Sequence, residues 1–183
     1  MRVMVFLHGT SIMHASAIGR QRTARVEQVV NNDPAVLDYA SYVPTEGAVA
    51  KVMAWQRRGA EICYLSSHRS AAAAAIDKSV LAAHGFPSGD LYYRAHGEGY
   101  ADVVRRWSAD VLVEDDCESI GGRARTATSE IARSAGQAVP CVVVPEFGGL
   151  IHLPDEPAEL LREQARHKSR SRLMRYLGLR RTG

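Results

Sequence analysis

The sequence has few cysteines. Its three cysteines, Cys63, Cys117 and Cys141, are odd in number and lie far apart along the chain. They form no CxxC pair, so the pattern indicates neither a zinc site nor a framework of disulfides. A chain without structural disulfides is typical of a reducing compartment, and the sequence therefore predicts a cytoplasmic location.

Long hydrophobic segments are also missing. No apolar run reaches the roughly 18 residues of a membrane-spanning helix, so no transmembrane helix is predicted. The apolar run Met1 to Leu7 is too short for a signal peptide, lacks a cleavage site and indicates a first strand instead. With 183 residues, 46% of them hydrophobic, the chain suits one domain with a sizeable core.

Charge is distributed unevenly. The formal net charge is +3, but residues 162–183 carry eight Lys or Arg and one Glu, a balance of +7, which leaves −4 for the other 161 residues. We interpret residues 157–183 as a basic C-terminal helix or tail. Such a tail can bind nucleic acid or an anionic surface. No aromatic stacking platform accompanies it, so nucleic-acid binding is not favoured.

Strand-like and helix-like segments alternate along the chain. Short apolar runs predict five strands, at residues 3–7, 61–65, 91–93, 111–114 and 141–144. Helix-like stretches lie near residues 44–58, 70–83, 100–107 and 125–136. This alternation predicts an α/β fold with three layers, in which a central, mainly parallel sheet has helices on both faces.

Residues 11–43 do not fit the alternation. They contain three arginines, Arg20, Arg22 and Arg25, and the turn signal Asn-Asn-Asp-Pro at residues 31–34. The stretch predicts an insertion long enough for a flap or small cap over the strand ends. We expect its arginines to form an exposed helix face, with contact to an anionic substrate as the alternative.

Three consecutive acids, Glu114, Asp115 and Asp116, follow the apolar residues of the fourth predicted strand. Ligand sites in open α/β sheets form at the carboxyl ends of the strands. Acids that lie so close repel one another unless a cation or basic groups neutralise them. Mg²⁺ prefers oxygen ligands, so we predict Glu114, Asp115 and Asp116 as Mg²⁺ ligands, with a solvated acidic loop as the alternative.

Hydroxyl and basic side chains follow the other predicted strands, and a parallel sheet would bring them to the same edge as the acids. The residues predicted to bind phosphate are Gly9, Thr10, Ser66, Ser67, His68 and Arg69. The residues predicted to take part in catalysis are His8, Thr10, Ser66, Ser67 and Arg94. Hydroxyls, basic groups and an acidic cluster at one crevice suit a phosphate with a divalent cation.

The order of these pieces resembles the haloacid dehalogenase (HAD) superfamily, which consists mostly of phosphohydrolases. Ser66 or Ser67 matches the hydroxyl of the family's second motif, and Val111 to Asp116 matches its acidic fourth motif. Residues 11–43 lie where the family places its cap. The resemblance implies a HAD-like domain over residues 1–156 and a Mg²⁺-dependent phosphohydrolase or phosphoryl-transfer enzyme that acts on a small phosphorylated molecule.

The first motif departs from the family's Asp-x-Asp-Gly-Thr, in which the first Asp attacks phosphorus and the second is the general acid and base. If Gly9 and Thr10 match its Gly-Thr, Phe6 takes the nucleophile's position and His8 takes that of the acid. A register shifted by one step puts His8 at the nucleophile's position instead. Both registers lack the aspartate, and for the third motif's cation the nearest candidates are Arg94 and His96.

Three functional interpretations follow. In the first, which we prefer, His8 is the general base on a water or attacks phosphorus itself. In the second, a catalytically inactive HAD-like domain binds a phosphorylated ligand or a protein partner. In the third, the basic tail carries the function of an interaction module. We prefer the first because His8 and His68 both fall at predicted strand ends beside the acids. The sequence carries no signal for an oligomeric state.

Overall fold

The computed structural model describes residues 1–134 and 139–162, and a five-stranded sheet lies at the centre of this part of the chain. Its strands are β1 (Arg2–Phe6), β4 (Glu61–Leu65), β5 (Asp90–Tyr92), β6 (Val111–Asp115) and β7 (Cys141–Val144). Two short strands, β2 (Ile12–Met13) and β3 (Val43–Pro44), form a separate antiparallel ribbon.

The strand order in the sheet is β5-β4-β1-β6-β7, and all adjacent pairs are parallel. The predicted parallel sheet is therefore confirmed, and each predicted strand end lies within one residue of the observed end. After β5, the chain crosses from one side of β1 to the other. In sheets of this kind a ligand site forms where the strand order reverses, at the carboxyl ends.

Five α-helices have both ends within the described residues: α1 (Arg22–Val30), α2 (Ala48–Arg57), α3 (Ala71–Ala83), α4 (Tyr100–Trp107) and α5 (Ala127–Arg133). Side-chain caps define two of the helix starts. The Ser70 hydroxyl accepts from the Ala73 amide at the start of α3, and Thr126 does the same for the Ser129 amide at α5. Each cap satisfies an amide that has no partner within its helix.

Side chains of β1 alternate strictly between two hydrophobic clusters. Val3 and Val5 share one cluster with residues of α2 and α3, whereas Met4 and Phe6 share the other with residues of α4 and α5. This alternation is the two-residue period of a strand, and burial of both faces is typical of a parallel sheet. Burial of each such side chain stabilises the fold by about 1.5–3 kcal/mol. The predicted three-layer α/β fold is confirmed.

Residues 11–43 form the β2–β3 ribbon, α1 and short 3₁₀ turns, and pack against the loop that follows β7. Arg22 Nε donates to the Glu146 carbonyl at 2.8 Å, and Arg25 Nη1 donates to the Phe147 carbonyl at 2.9 Å. The expectation that the arginines of this stretch form only an exposed face is wrong for these two. The assignment of the stretch as a cap stays a prediction.

The chain turns helical again at residues 157–162, in agreement with the predicted helix start at Pro157, and Leu160 is fully buried in the core. The rest of the predicted basic tail, and residues 135–138 of the predicted segment 125–136, lie outside the described residues. Among the helices that are described, none is long and apolar enough to cross a membrane.

Candidate active site

The carboxyl ends of the strands open into a cavity of about 450 Å³. Residues from four strand ends line it: His8 and Gly9 after β1, Ser67 after β4, Asp115 of β6 and Glu146 after β7. The structure therefore brings together His8 and Glu146, which lie 138 positions apart in the sequence. This convergence follows from the parallel sheet, because all of its strands end at the same edge.

Gly9 brings the end of β1 close to the acids. Its φ is +85°, a left-handed conformation that residues with a Cβ rarely adopt. A Cβ at this position would also lie 2.8 Å from Asp115 Oδ2 and 3.2 Å from Glu146 Cγ. Both the backbone angle and the close approach therefore require glycine.

Thr10 joins the ends of β1 and β6. Its Oγ1 donates to Asp115 Oδ2 at 2.7 Å and accepts from the Asp115 amide at 2.9 Å. The Thr10 side chain is fully buried, so both hydrogen bonds are shielded from water. Thr10 thus fixes the Asp115 carboxylate at the edge of the cavity.

Three carboxylates, which we name the acid group, lie together: Asp115, Asp116 and Glu146. Each offers one oxygen, and these oxygens lie within 4.8 Å of one another. The Glu146 amide donates to Asp116 Oδ1 at 3.0 Å, which joins the loops after β6 and β7. Ser119 holds the Glu146 carboxylate through its amide at 2.7 Å and its hydroxyl at 2.6 Å. A set of oxygen donors alone suits Mg²⁺.

Burial raises the pKa values of Asp115 and Glu146. Loss of solvation raises the pKa of Asp115 to about 6, and the neighbouring charge of Glu114 adds to this shift. The pKa of Glu146 also rises to about 6, because of burial and then the charges of Asp115 and Asp116. At neutral pH both groups are therefore ionised at a cost in free energy, which a bound cation would offset.

Glu114 lies outside the acid group. Its Oε2 accepts from the Ala127 amide at 2.8 Å, its Oε1 accepts from the Thr128 amide at 2.8 Å, and the Cys141 thiol lies 3.3 Å from Oε1. The carboxylate thus satisfies the first amides of α5. Successive side chains of a strand point to opposite faces. The sequence could therefore have predicted that Glu114 and Asp115 have different surroundings.

A second set of side chains, which we name the histidine group, lies at the ends of β1 and β4. It consists of His8, Ser67 and Asp77. His8 Nδ1 lies 2.6 Å from Ser67 Oγ, and His8 Nε2 lies 3.0 Å from Asp77 Oδ1. Both ring nitrogens of His8 are therefore engaged, one with a hydroxyl and one with a carboxylate.

Sequence reasoning missed Asp77, which lies in the middle of α3 and is fully buried. A signal was present in the helix, since Asp77 lies on the buried stripe of α3 with Ala74 and Leu81. An acid on such a stripe needs a partner. Ser66 is one of these partners, because its hydroxyl donates to Asp77 Oδ2 at 2.5 Å.

His68 lies against the histidine group. Its Nε2 is 3.6 Å from Asp77 Oδ1 and has no hydrogen-bond partner within residues 1–134 and 139–162. Burial lowers the pKa of His68. His8, His68 and Asp77 each offer one atom, and these lie within 4.8 Å of one another, so they form a second set that could hold a metal ion. Imidazole and carboxylate donors suit a transition metal such as zinc.

The two arginines predicted as site residues, Arg94 and Arg69, differ in their position relative to the cavity. Arg94 lines the cavity, and its guanidinium lies over the Tyr100 ring at 3.7 Å from the centroid. Arg69 is exposed and does not line the described cavity. Phe6 also lines the cavity and packs edge-on against Tyr100, with a ring-centroid distance of 5.2 Å.

Comparison with known proteins identifies the fold. No protein-family model matches the sequence, and no curated protein does. The structure of a class C acid phosphatase from Bacillus anthracis, with tungstate bound, aligns with all of this chain and 81% of its own, at a TM-score of 0.51 and 11% identity. The fold is HAD-like. The predicted resemblance is confirmed at the level of the fold, and 11% identity shows nothing beyond it.

Other solved structures match less well. A HAD-family hydrolase from Deinococcus radiodurans R1, with bound phosphate and sodium, has a TM-score of 0.41 at 11% identity, over 79% of this chain and 90% of its own. A structure of the Pnkp1/Rnl/Hen1 complex has a TM-score of 0.48 at 13% identity, over 79% of this chain. The chain spans 46% and 42% of the matched chains in two structures of that complex, less than half of their length.

Proposed function

We propose that this HAD-like protein is a Mg²⁺-dependent enzyme that hydrolyses or transfers the phosphoryl group of a small phosphate ester. The observation that carries the proposal is that members of both groups line one cavity at the carboxyl ends of the strands: Asp115 and Glu146 of the acid group, and His8 and Ser67 of the histidine group. One group can hold a cation, and the other can move a proton. The tungstate in the acid phosphatase of similar fold, an oxyanion like phosphate, supports a phosphate-like ligand.

In this proposal Asp115, Asp116 and Glu146 hold the Mg²⁺ ion. The bound ion would neutralise the negative charge of the phosphoryl oxygens. Thr10 keeps Asp115 in place through its two hydrogen bonds, and Gly9 provides the room beside it. We leave Glu114 out of the ligand set because its oxygens already accept from the start of α5.

The protein's own side chains would bind and orient the phosphate ester. Ser67 lines the cavity at the end of β4, where its hydroxyl can reach a phosphoryl oxygen, and Arg94 supplies a positive charge to the same cavity. Ser66 is fully buried against Asp77, so its role is to hold the histidine group. His68 and Arg69 follow the same strand but do not line the cavity, so we leave both out of the phosphate-binding set.

His8 is the proposed acid and base. Its ring lies at the edge of the cavity, with Asp77 on one nitrogen and Ser67 on the other. A proton accepted by Nδ1 leaves a cationic ring that the Asp77 carboxylate stabilises. Attack by an aspartate of the first motif is not available, because the first motif has no aspartate in either register.

The proposed function is tested by a screen of phosphate esters with purified protein, in the presence of Mg²⁺ and of a chelator. We expect turnover that needs Mg²⁺ and that is lower in Asp115→Asn than in the wild type. Asp90→Asn is the matched control, because Asp90 is exposed at the opposite end of its strand. Turnover that a chelator leaves unchanged would contradict the metal-dependent mechanism.

The second candidate function is binding of a phosphorylated ligand without turnover. The specific observation in its favour is that the first motif has no aspartate, and that Phe6, which takes the nucleophile's position in one register, has an inert side chain. In this case no ester in the screen is hydrolysed, but a phosphorylated compound raises the melting temperature. The same two measurements therefore separate the two candidates.

A further inference from the structure

The three side chains of the histidine group form one continuous chain of hydrogen bonds. Ser67 Oγ lies 2.6 Å from His8 Nδ1, and His8 Nε2 lies 3.0 Å from Asp77 Oδ1. Hydroxyl, imidazole and carboxylate in this order activate a serine for nucleophilic attack. We propose that Ser67 is a catalytic nucleophile, that His8 accepts its proton and that Asp77 positions His8. This inference rests on the proposed function only for its substrate, a phosphate ester.

Asp77 determines which nitrogen of His8 carries the proton. An ionised carboxylate only accepts hydrogen bonds, so the nitrogen that faces it, Nε2, is the donor. Nδ1 is then an acceptor, and the Ser67 hydroxyl donates to it. In the familiar serine hydrolases the two ring nitrogens have exchanged places, but either nitrogen of an imidazole can accept a proton.

The hydrogen bonds behind Asp77 keep this arrangement rigid. Ser66 Oγ donates to Asp77 Oδ2 at 2.5 Å and accepts from the His68 amide at 3.0 Å. Both oxygens of the buried carboxylate therefore have partners, as a buried charge requires. Ser66 and Ser67 are neighbours with different environments, since Ser66 is fully buried whereas Ser67 is partly exposed and lines the cavity.

Aromatic rings pack edge-on around His8. Its ring centroid lies 5.4 Å from that of Tyr39, 5.5 Å from that of Tyr42 and 4.9 Å from that of His68. These contacts leave the side chain of His8 only 12% exposed. Exclusion of water strengthens the hydrogen bonds of the histidine group and restricts the imidazole to one orientation.

The proposed reaction has two steps. In the first, the Ser67 oxygen forms a bond to phosphorus while its proton moves to His8 Nδ1. The bond between phosphorus and the ester oxygen breaks, and the leaving alcohol takes the proton from His8. In the second, a water loses its proton to His8 and attacks the phosphoserine. The bond between phosphorus and Ser67 breaks, and Ser67 regains the proton as phosphate leaves. No oxidation or reduction occurs in either step.

Covalent labelling with diisopropyl fluorophosphate tests the nucleophile directly. This probe forms a phosphorus–oxygen bond to an activated serine and releases fluoride. We expect one adduct per chain, located on Ser67 by peptide mass spectrometry and absent from Ser67→Ala. Ser79→Ala is the matched control, because Ser79 is an exposed serine on α3. An adduct on a different residue, or no adduct on the wild type, would overturn the proposal.

The relay itself is tested by the rate of labelling. His8→Ala should slow the reaction about 10²–10⁴-fold, the usual cost of a lost general base, and added imidazole should restore part of the rate. In Asp77→Asn, NMR of the histidine ring nitrogens should show that the single Nε2–H tautomer of His8 is lost. Equal labelling rates in wild type and His8→Ala, or an unchanged tautomer in Asp77→Asn, would contradict the relay.

The inference and the proposed function can fail separately. Labelling of Ser67 that depends on His8, without turnover of any phosphate ester, would support the nucleophile and reject the phosphatase. Mg²⁺-dependent turnover that survives in Ser67→Ala would support the phosphatase and reject Ser67 as the nucleophile. Stoichiometric zinc in the purified protein, lost in His68→Ala, would assign His8, His68 and Asp77 to a metal site and overturn the relay.

Discussion

In the acid group, three carboxylates share a small volume, and the pKa values of Asp115 and Glu146 are raised to about 6. In the histidine group, donors and acceptors alternate from Ser67 through His8 and Asp77 to Ser66. The acid group keeps negative charge that a cation can neutralise. In the histidine group, each side chain is hydrogen-bonded to another member or to Ser66. In the proposed function, the acid group binds an ion from solution and the histidine group moves a proton.

The difference has a structural cause. The acids lie at the end of β6 and on the loops after β6 and β7, where the Thr10 hydroxyl and the Ser119 amide and hydroxyl supply only part of the partners that carboxylates need. The histidine group instead uses a helix, because α3 places Asp77 directly beneath the ends of β1 and β4. Changes to either group should therefore have different effects on activity, ion binding and stability.

The largest effect should come from His8. We expect His8→Ala to lower the rate of phosphate-ester hydrolysis about 10²–10⁴-fold, because the general base is lost. Mg²⁺ affinity should stay unchanged, since His8 is not part of the acid group. Steady-state kinetics and calorimetry measure the two quantities. His152→Ala, which changes an exposed histidine outside the cavity, should match the wild type. Equal activity of His8→Ala and wild type would remove the histidine mechanism.

The next effect concerns Mg²⁺. Asp116→Asn should weaken Mg²⁺ binding by about 10- to 100-fold or more, because loss of an outer-shell partner alone already costs that much and a ligand contributes directly. Isothermal titration calorimetry measures the affinity, with Asp90→Asn as the control. Identical weak binding by wild type and both variants would show that the acid group is not a Mg²⁺ site.

A third prediction uses the raised pKa of Glu146. Because its pKa rises from 4.5 to about 6 in the folded protein, the protonated form is favoured there. Its contribution to stability is present below about pH 4.5 and is lost as the pH rises through about 6. Without metal, Glu146→Gln should therefore raise the free energy of unfolding by about 2 kcal/mol at about pH 7 and leave it unchanged at about pH 4.

Chemical denaturation at the two pH values measures this effect. Glu27→Gln, at an exposed position of α1, should show no dependence on pH. Excess Mg²⁺ should reverse the order at neutral pH, because only the wild type keeps the full ligand set. A Glu146→Gln variant that is less stable than the wild type at neutral pH without metal would contradict the raised pKa.

The smallest effect should come from Arg22. Its guanidinium pairs with Glu118 and lies 3.5 Å from Asp116 Oδ1, so it supplies positive charge to the acid group. Arg22→Gln should strengthen Mg²⁺ binding by no more than about fivefold, because a partly exposed ion pair contributes only about 0–1 kcal/mol. Calorimetry measures the change, and Arg57→Gln at an exposed position is the control. Weaker Mg²⁺ binding in Arg22→Gln would contradict this prediction and show that Arg22 is needed to position the acid group.

Most of the sheet could be predicted from the sequence. The apolar runs of β4 and β7 were predicted with their observed bounds, because short buried strands between polar turns leave a clear pattern. The helix α4 was also predicted from Tyr100 to Trp107, as observed. The details of residues 11–43 were not predicted, since short strands and 3₁₀ turns have no strong periodicity of their own.

The candidate site could be predicted only in part. Because parallel strands end at one edge, the sequence placed His8, Ser67 and Asp115 near one another, and they do line one cavity. Glu114 was predicted as a Mg²⁺ ligand together with Asp115 and Asp116. The two-residue period of a strand predicts instead that the side chains of Glu114 and Asp115 point to opposite faces of the sheet. The roles of all these residues stay predictions.

The sequence by itself determined which residues stand at the strand ends, because hydrophobic periodicity and glycine turns are local properties of the chain. Only the tertiary structure decided their partners. Asp77 meets His8 across 69 positions of sequence, and Glu146 meets Asp116 across 30. Such contacts depend on how α3 and the loop after β7 pack on the sheet. Local sequence patterns indicate whether a side chain is buried, but they do not indicate which other side chain it contacts. The chemistry of this cavity depends on those contacts.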